Sequence, residues 1–418
     1  MQNILLLELN EFNVDLLKTA AKEYPNIRKL VSLHEVQTHT DDTYESDFLE
    51  PWVQWVSVHT GRPSAEHQIK HLGDVPDLGT EQLWEALSKQ GITSGVWGAM
   101  NASRAGAEKC LFFIPDPWTA SERAYPEELN DLLEPLRFAS KSYAKPKMAQ
   151  IGKIFKLFSS YKLLGKVIRE APRLCKNIFR FRAAHCVFIS FLDLLSTELF
   201  LAYKKRYNPR LSVLFLNSLA HLQHHHWHAG SSKLQEGLSY MDQILGRLFD
   251  SLAEGDLFFV ANALSQKNTH EEHPWILYRQ KDPQSFPQAV GMACKRVEPH
   301  MTHDAHLYFD NAEQCQTAKE ALEGATLLGR RLFFVETYAD PCKLFYRICF
   351  TDPVSQDVSF TFAGKSVRFF DLFQAIVQRT GKHIPYGTVF TNASNLPPSM
   401  KNHELFHYIA RELRVVFS

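Results

Sequence analysis

The stretch FLNSLAHLQHHHWH, residues 215–228, places Asn217 and five histidines (His221, His224, His225, His226 and His228) at the end of an apolar run. Imidazole binds borderline cations such as Zn²⁺ and exchanges protons near neutral pH, so the cluster suits a metal centre or a proton relay. LSVLFLN (211–217) reads as a strand, with Asn217 at its C-terminal end. His221 lies four residues on, where a loop or helix start aims both at one ion. A neutral amide oxygen is a weaker ligand than a carboxylate, and the other four histidines read equally well as solvated surface. HELFH (403–407) matches H-E-x-x-H, which on a helix turns two imidazoles to one face. No third ligand follows at the usual spacing, and Leu405, Ile409 and Leu413 recur as on a helix docking against a sheet.

These side chains need a scaffold that brings strand ends together. The chain opens with an apolar strand at 4–9 and a helical pattern over about 13–24. Further strand-like runs at ITSGVW, LSVLFLN and DLFFVAN alternate with helical periodicity at 80–90 and 240–249. This alternation predicts an α/β fold with a mainly parallel central sheet flanked by helices and a ligand site at the C-terminal strand ends. Residues 122–209 break the rhythm and read as an inserted helical cap, leaving 1–121 and 210–418 as the core. Within that cap, 141–182 carries twelve Lys or Arg against the single acid Glu170. Three readings suit this basic run: a solvated surface helix pair, a lid that grips an anion, or an interfacial helix on acidic membrane lipid.

The whole chain has 46 basic and 46 acidic residues, so no global charge draws it to nucleic acid, and none is expected as a partner. Seven scattered cysteines without a CxxC pair fit a reducing, cytoplasmic setting. The first residues lack the basic start and cleavage site of a secretory signal.

The order of short motifs resembles the alkaline phosphatase superfamily, most closely its type I phosphodiesterase and nucleotide pyrophosphatase branch. ILLLELNEF stands where the first metal-binding Asp motif belongs. WVSVHTGRPSAEHQI (55–69) is similar to the segment after the nucleophile, and NSLAH (217–221) occupies the Asp-x-x-x-His place. VANALS (260–265) follows a strand where Ser-Asp-His-Gly is expected, and HMTHDAH (300–306) supplies a late histidine. The departures are as informative as the matches. The three Asp positions are Asn10, Asn217 and Asn262, the strand-end His is Ala263, and the nucleophile's place falls on Pro51 beside Glu50, neither with a hydroxyl.

The resemblance implies phosphoryl-type hydrolysis or transfer on an anionic small molecule, such as a nucleotide, nucleotide-sugar or glycan phosphate, without a covalent phosphoenzyme. Its alternative is a ligand-binding protein that kept the fold and lost the chemistry. The surviving metal set would be Asn217, His221 and His303, with His221, His303, His306 and Glu50 as catalytic groups. Glu8, Asn10, Glu11, Arg62 and Asn262 would contact substrate. Three arrangements stay open: Glu8, Glu11 or Glu50 as replacement ligands, one divalent Zn or Mn ion acting without a covalent step, or a metal-free cleft using His and Asn.

Overall fold

A computed structural model describes residues 2–43, 48–142, 148–181, 185–300 and 303–415. They fall into two compact units, one drawn from 1–135, 147–268 and 380–418, the other from 136–146 and 269–379. This division differs from the expected one, which kept 210–418 in a single core and set 122–209 apart.

The first unit is built on β1 (Ile4–Leu9), β2 (His34–His39), β3 (Ser94–Ala99), β4 (Cys110–Pro115), β5 (Leu211–Leu216) and β6 (Leu257–Ala261), with β7 (Ser265–Asn268), β8 (Gly381–Ile384), β9 (Tyr386–Thr391) and β10 (Ser399–Lys401). Eight of these form one sheet in the order β10-β2-β9-β6-β1-β5-β3-β4, and β7 pairs with β8 beside it. The run β6-β1-β5-β3-β4 is parallel, with Glu8 opposite both Phe215 and Ala261, while β9 runs antiparallel to β6 and β2. A central strand covered on both faces favours apolar side chains, and all six residues of β1 are buried, five of them apolar and the sixth, Glu8, paired with a buried histidine.

The helices that matter for the site and its surroundings are α1 (Val14–Ala20), α2 (Pro51–Thr60), α3 (Met148–Ser160), α4 (Leu164–Phe181), α5 (His185–Tyr207), α6 (Ser218–His226) and α7 (Ser232–Asp250). Local chemistry sets their ends. Asn13 caps α1 by accepting from the Leu16 N–H at 2.9 Å. Pro51 takes the first position of α2, where its missing N–H costs nothing. Gly61 ends α2 at φ 69°, where a Cβ would stand 2.9 Å from the Phe406 ring.

The two faces of β1 diverge by the period of two. Leu5, Leu7 and Leu9 join a core with Phe191, Leu194, Phe200 and Tyr203 of α5 and with Tyr240, Ile244 and Leu248 of α7. Glu8 and Asn10 face α2 instead, as their hydrogen bonds show below. The stretch expected as a cap is helical where it is described, but α5 is a structural layer of the first unit, because its apolar side shares that core.

The second unit carries an antiparallel sheet of Phe333–Thr337, Lys343–Ile348, Asp304–Tyr308 and Arg296–Pro299. Its separate aromatic core includes Tyr278, Phe286, Phe333, Tyr346, Phe369 and Phe373. Among the described residues, no helix is long and apolar enough to cross a membrane.

Phe200 of α5 lies between Trp97 and Phe112, with ring centroids 6.2 and 6.0 Å away, and is fully buried. Phe200→Ala is expected to cost about 3–5 kcal/mol, read as a lower urea midpoint at unchanged slope. A loss below about 1 kcal/mol would show that α5 is a detachable lid and not part of the core.

Candidate functional site

Where β1 ends, the chain turns through Asn10 and Glu11, and Glu11 adopts φ 54°. That left-handed conformation is strained for a residue with a Cβ, and such strain persists only where the surroundings enforce it. Gln223 of α6 does so by donating to the Glu11 carbonyl at 2.8 Å while accepting from the Asn13 N–H at 2.9 Å.

The Glu11 side chain is buried and fully engaged. Its Oε2 lies 2.8 Å from His224 Nε2, 3.0 Å from His383 Nε2 and 2.5 Å from the Gln266 amide, and Oε1 accepts from Asn10 at 2.9 Å. His224 sits on α6, Gln266 on β7 and His383 on β8, opposite Gln266 in the β7–β8 pair. The other ring nitrogens are committed too. His224 Nδ1 donates to the Gly381 carbonyl at 3.0 Å, and His383 Nδ1 lies 3.2 Å from the Leu49 carbonyl and 3.3 Å from Glu50 Oε2. A carbonyl can only accept, so each ring has a proton on Nδ1, and in the metal-free protein Nε2 is protonated as well where it meets the Glu11 carboxylate, a proton that a bound cation would displace.

This is how proteins orient metal-binding imidazoles, through an outer hydrogen bond that fixes the tautomer. The ligand atoms of Glu11, His224 and His383 all lie within 4.8 Å of one another. A His₂Glu set suits one divalent ion. The carboxylate ligands that the motif order implies are missing, because Asn10, Asn217 and Asn262 stand at those places.

Those amides are occupied by one another and by the backbone. Asn10 donates to Asn217 at 2.8 Å and accepts from Trp55 at 2.8 Å, and Asn217 approaches His221 Nε2 at 3.3 Å. Asn262 donates to the Phe12 carbonyl and accepts from the Thr388 N–H, tying the end of β6 to β9. One network therefore runs from His221 through Asn217, Asn10 and Glu11 to His224, His383 and Glu50.

Several expected site residues have other roles. Glu8 shares the Asn10 face of β1 but is 0% exposed, its Oε1 2.7 Å from His59 of α2, so it braces the helix and has no opening to substrate. Arg62 pairs with Glu66 and follows α2, about 15 Å of helix rise from Glu50, which keeps it away from the cluster. His303 and His306 belong to the second unit. There His306 uses both ring nitrogens, with His300 Nε2 at 2.8 Å and the Tyr338 hydroxyl at 2.6 Å. The late histidine of the cluster is His383 instead. In HELFH, Glu404 accepts from the Lys401 N–H, and the motif straddles the junction of a short 3₁₀ turn and an α-helix.

The fold is the expected α/β architecture, a mainly parallel central sheet flanked by helices. A family model described as type I phosphodiesterase / nucleotide pyrophosphatase matches residues 4–263, more than half of the chain, and the protein belongs to that family. Similar solved structures include phosphonoacetate hydrolase from Sinorhizobium meliloti 1021 in complex with phosphonoformate, at 14% identity, 98% of this chain, 95% of that chain and TM-score 0.46. Another is murine ectonucleotide pyrophosphatase / phosphodiesterase 5, at 11% identity, 99% and 96% coverage and TM-score 0.48. None of the curated protein sequences compared with it matches significantly.

Burial by itself raises the Glu11 pKa, but the charges of His383 and His224 overcome it and hold the carboxyl well below its usual range. For His383 burial acts downward, yet Glu11 and Glu50 push it up to about 10. The Glu11 contribution to stability is present above its ordinary pKa and is lost as pH falls through the lowered one. The His383 contribution is complete below its ordinary pKa of about 6.5 and is lost as pH rises through about 10. Metal-free protein should therefore lose stability from pH 7 to 10, with a slope of at most about 1.4 kcal/mol per pH unit from this group. His383→Gln should flatten that slope in urea titrations, and an unchanged slope would show that His383 is not charged in the folded protein.

Proposed function

We propose that this protein hydrolyses or transfers a phosphoryl-type group on an anionic small molecule, of the nucleotide, nucleotide-sugar or glycan phosphate class, using one divalent ion of the zinc or manganese type. The observation that carries this reading is the pair of Nδ1-anchored imidazoles converging on one Glu11 oxygen. Family membership supports the reaction class. Glu11, His224 and His383 would hold the ion, which when bound polarises a phosphoryl oxygen and acidifies a water.

The rest of the work falls to this chain's own groups. Glu50, about one quarter exposed at the start of α2, is placed to take the proton of the attacking water or acceptor hydroxyl, and its contact with His383 ties it to the cluster. His221, joined to Glu11 through Asn217 and Asn10, offers a second proton carrier. Neither Glu50 nor Pro51 has a hydroxyl, which supports direct attack by the acceptor. A single in-line displacement then orients two reactants, and either water or another hydroxyl can be the second.

The mutual hydrogen bond of Asn10 and Asn217 favours a second reading, a protein that binds the same anionic ligands without turnover. Metal and activity measurements separate the two. Zn²⁺ or Mn²⁺ should raise the melting temperature of the chelator-treated protein, and Glu11→Gln should weaken that metal affinity by about 100-fold. Turnover of bis(p-nitrophenyl) phosphate or a nucleoside diphosphate should fall in parallel and proceed with inversion at a chirally labelled phosphorus. Retention would establish a covalent intermediate. No metal shift and no turnover, with nucleotides still raising the melting temperature, would establish the binding protein.

A further inference from the structure

Helix α4 has two apolar faces. One points into the first unit, where Phe181 joins the core and Val167 and Leu174 pack against it, and buried Asn177 donates to Glu236 and Tyr240. The other points to solvent. Ile168, Pro172, Cys175 and Phe179 are spaced by four, three and four residues, which places them on one side of the helix, and all four are exposed. Ile168 is 70% and Phe179 87% exposed, and Ile178 beside them is 45% exposed. A surface helix ordinarily hides its apolar stripe and shows its polar one.

The charges flanking this stripe are of one sign. Arg169, Lys176 and Arg180 lie along its edge and are exposed, at positions that continue the same helical spacing. The other cations of the helix are spent within the fold, since Lys166 pairs with Glu198 and Arg173 pairs with Glu236. The only acid of α4, Glu170, accepts from Gln243. The outward surface therefore combines large apolar side chains with a row of cations; among the described residues no acid forms an ion pair with Arg169, Lys176 or Arg180, and Arg180 meets Glu236 only through longer-range attraction.

We propose that α4 docks the protein on an anionic lipid surface, laying Ile168, Pro172, Cys175 and Phe179 at the acyl boundary and Arg169, Lys176 and Arg180 among the headgroups. Buried apolar area and attraction to acidic lipid act together in helices of this kind. A second copy of the chain would meet the same cations with its own, so charge complementarity selects the membrane. The inference rests on this surface alone and is independent of the metal cluster.

The test is flotation of the full chain with vesicles of phosphatidylcholine alone or with about one-third phosphatidylglycerol. Wild-type protein should float only with the anionic vesicles, and high salt should release much of it. Ile168→Ser with Phe179→Ser, and separately Arg169→Gln with Lys176→Gln and Arg180→Gln, should each lower partitioning at least about tenfold. Thermal melting monitored by circular dichroism verifies that both variants are folded, as expected for exposed sites. Absence of wild-type binding, or partitioning unchanged in both variants, overturns the proposal. So does a wild-type dimer that the Ile168/Phe179 variant converts to monomer without any change in vesicle binding, which would assign the face to a second copy. Metal-dependent turnover of a soluble phosphodiester should be unchanged in both variants, so failure here and failure of the metal site are told apart.

Discussion

A buried carboxylate with two imidazoles on it organises the first unit. Glu11 has no solvent to stabilise its charge, and a carboxylate in that position is tolerable only with opposite charge and hydrogen bonds at close range. His224, His383, Gln266 and Asn10 supply them from α6, β8, β7 and the adjoining residue. The strained backbone of Glu11 is fixed by Gln223, so the same turn that stores strain also aims the charge. Elements far apart in the chain thus meet at one oxygen atom.

The amides around it follow from that choice. A carboxylate at position 10 would face Glu11 at hydrogen-bond distance and repel it, whereas Asn10 donates to Glu11 and to Asn217 and accepts from Trp55. The negative charge that the family resemblance expects at position 10 is carried one residue later, on the opposite side of the turn. On the same face of β1 as Asn10, Glu8 and His59 form a second buried pair, with Trp55 and His59 one turn apart on α2 reaching Asn10 and Glu8. Removing either partner of such a pair leaves a buried polar group without its hydrogen bond, so this contact fixes how α2, and with it Glu50, sits on the strand.

The helical stretch serves two purposes on different sides. Its longest member, α5, completes the core through Phe191, Phe200 and Tyr203, with Tyr203 and Phe112 5.8 Å apart. Its neighbour α4 keeps an outward apolar stripe that intramolecular packing leaves uncovered. Basic residues on the inner side pair with Glu198 and Glu236, and among the described residues Arg169, Lys176 and Arg180 on the outer side form no ion pair.

The local rules were legible in the sequence. The apolar run of β1, the strand before Asn217 and the order of family motifs all rest on residues close together, where period and propensity act. Period two also placed Glu8 and Asn10 on one face. The cluster itself was not legible, because Glu11 and His383 are 372 residues apart and no local pattern states which strand ends converge. HMTHDAH was the more conspicuous late histidine, yet His306 is engaged by His300 and Tyr338 in the second unit, while Gly-Lys-His before the strand YGTVF carried only a faint signal. Sequence by itself determined which elements form and that polar residues end the strands. Tertiary structure decided which of those residues share one buried charge, because desolvation and Coulomb attraction depend on distance in space and not on separation along the chain.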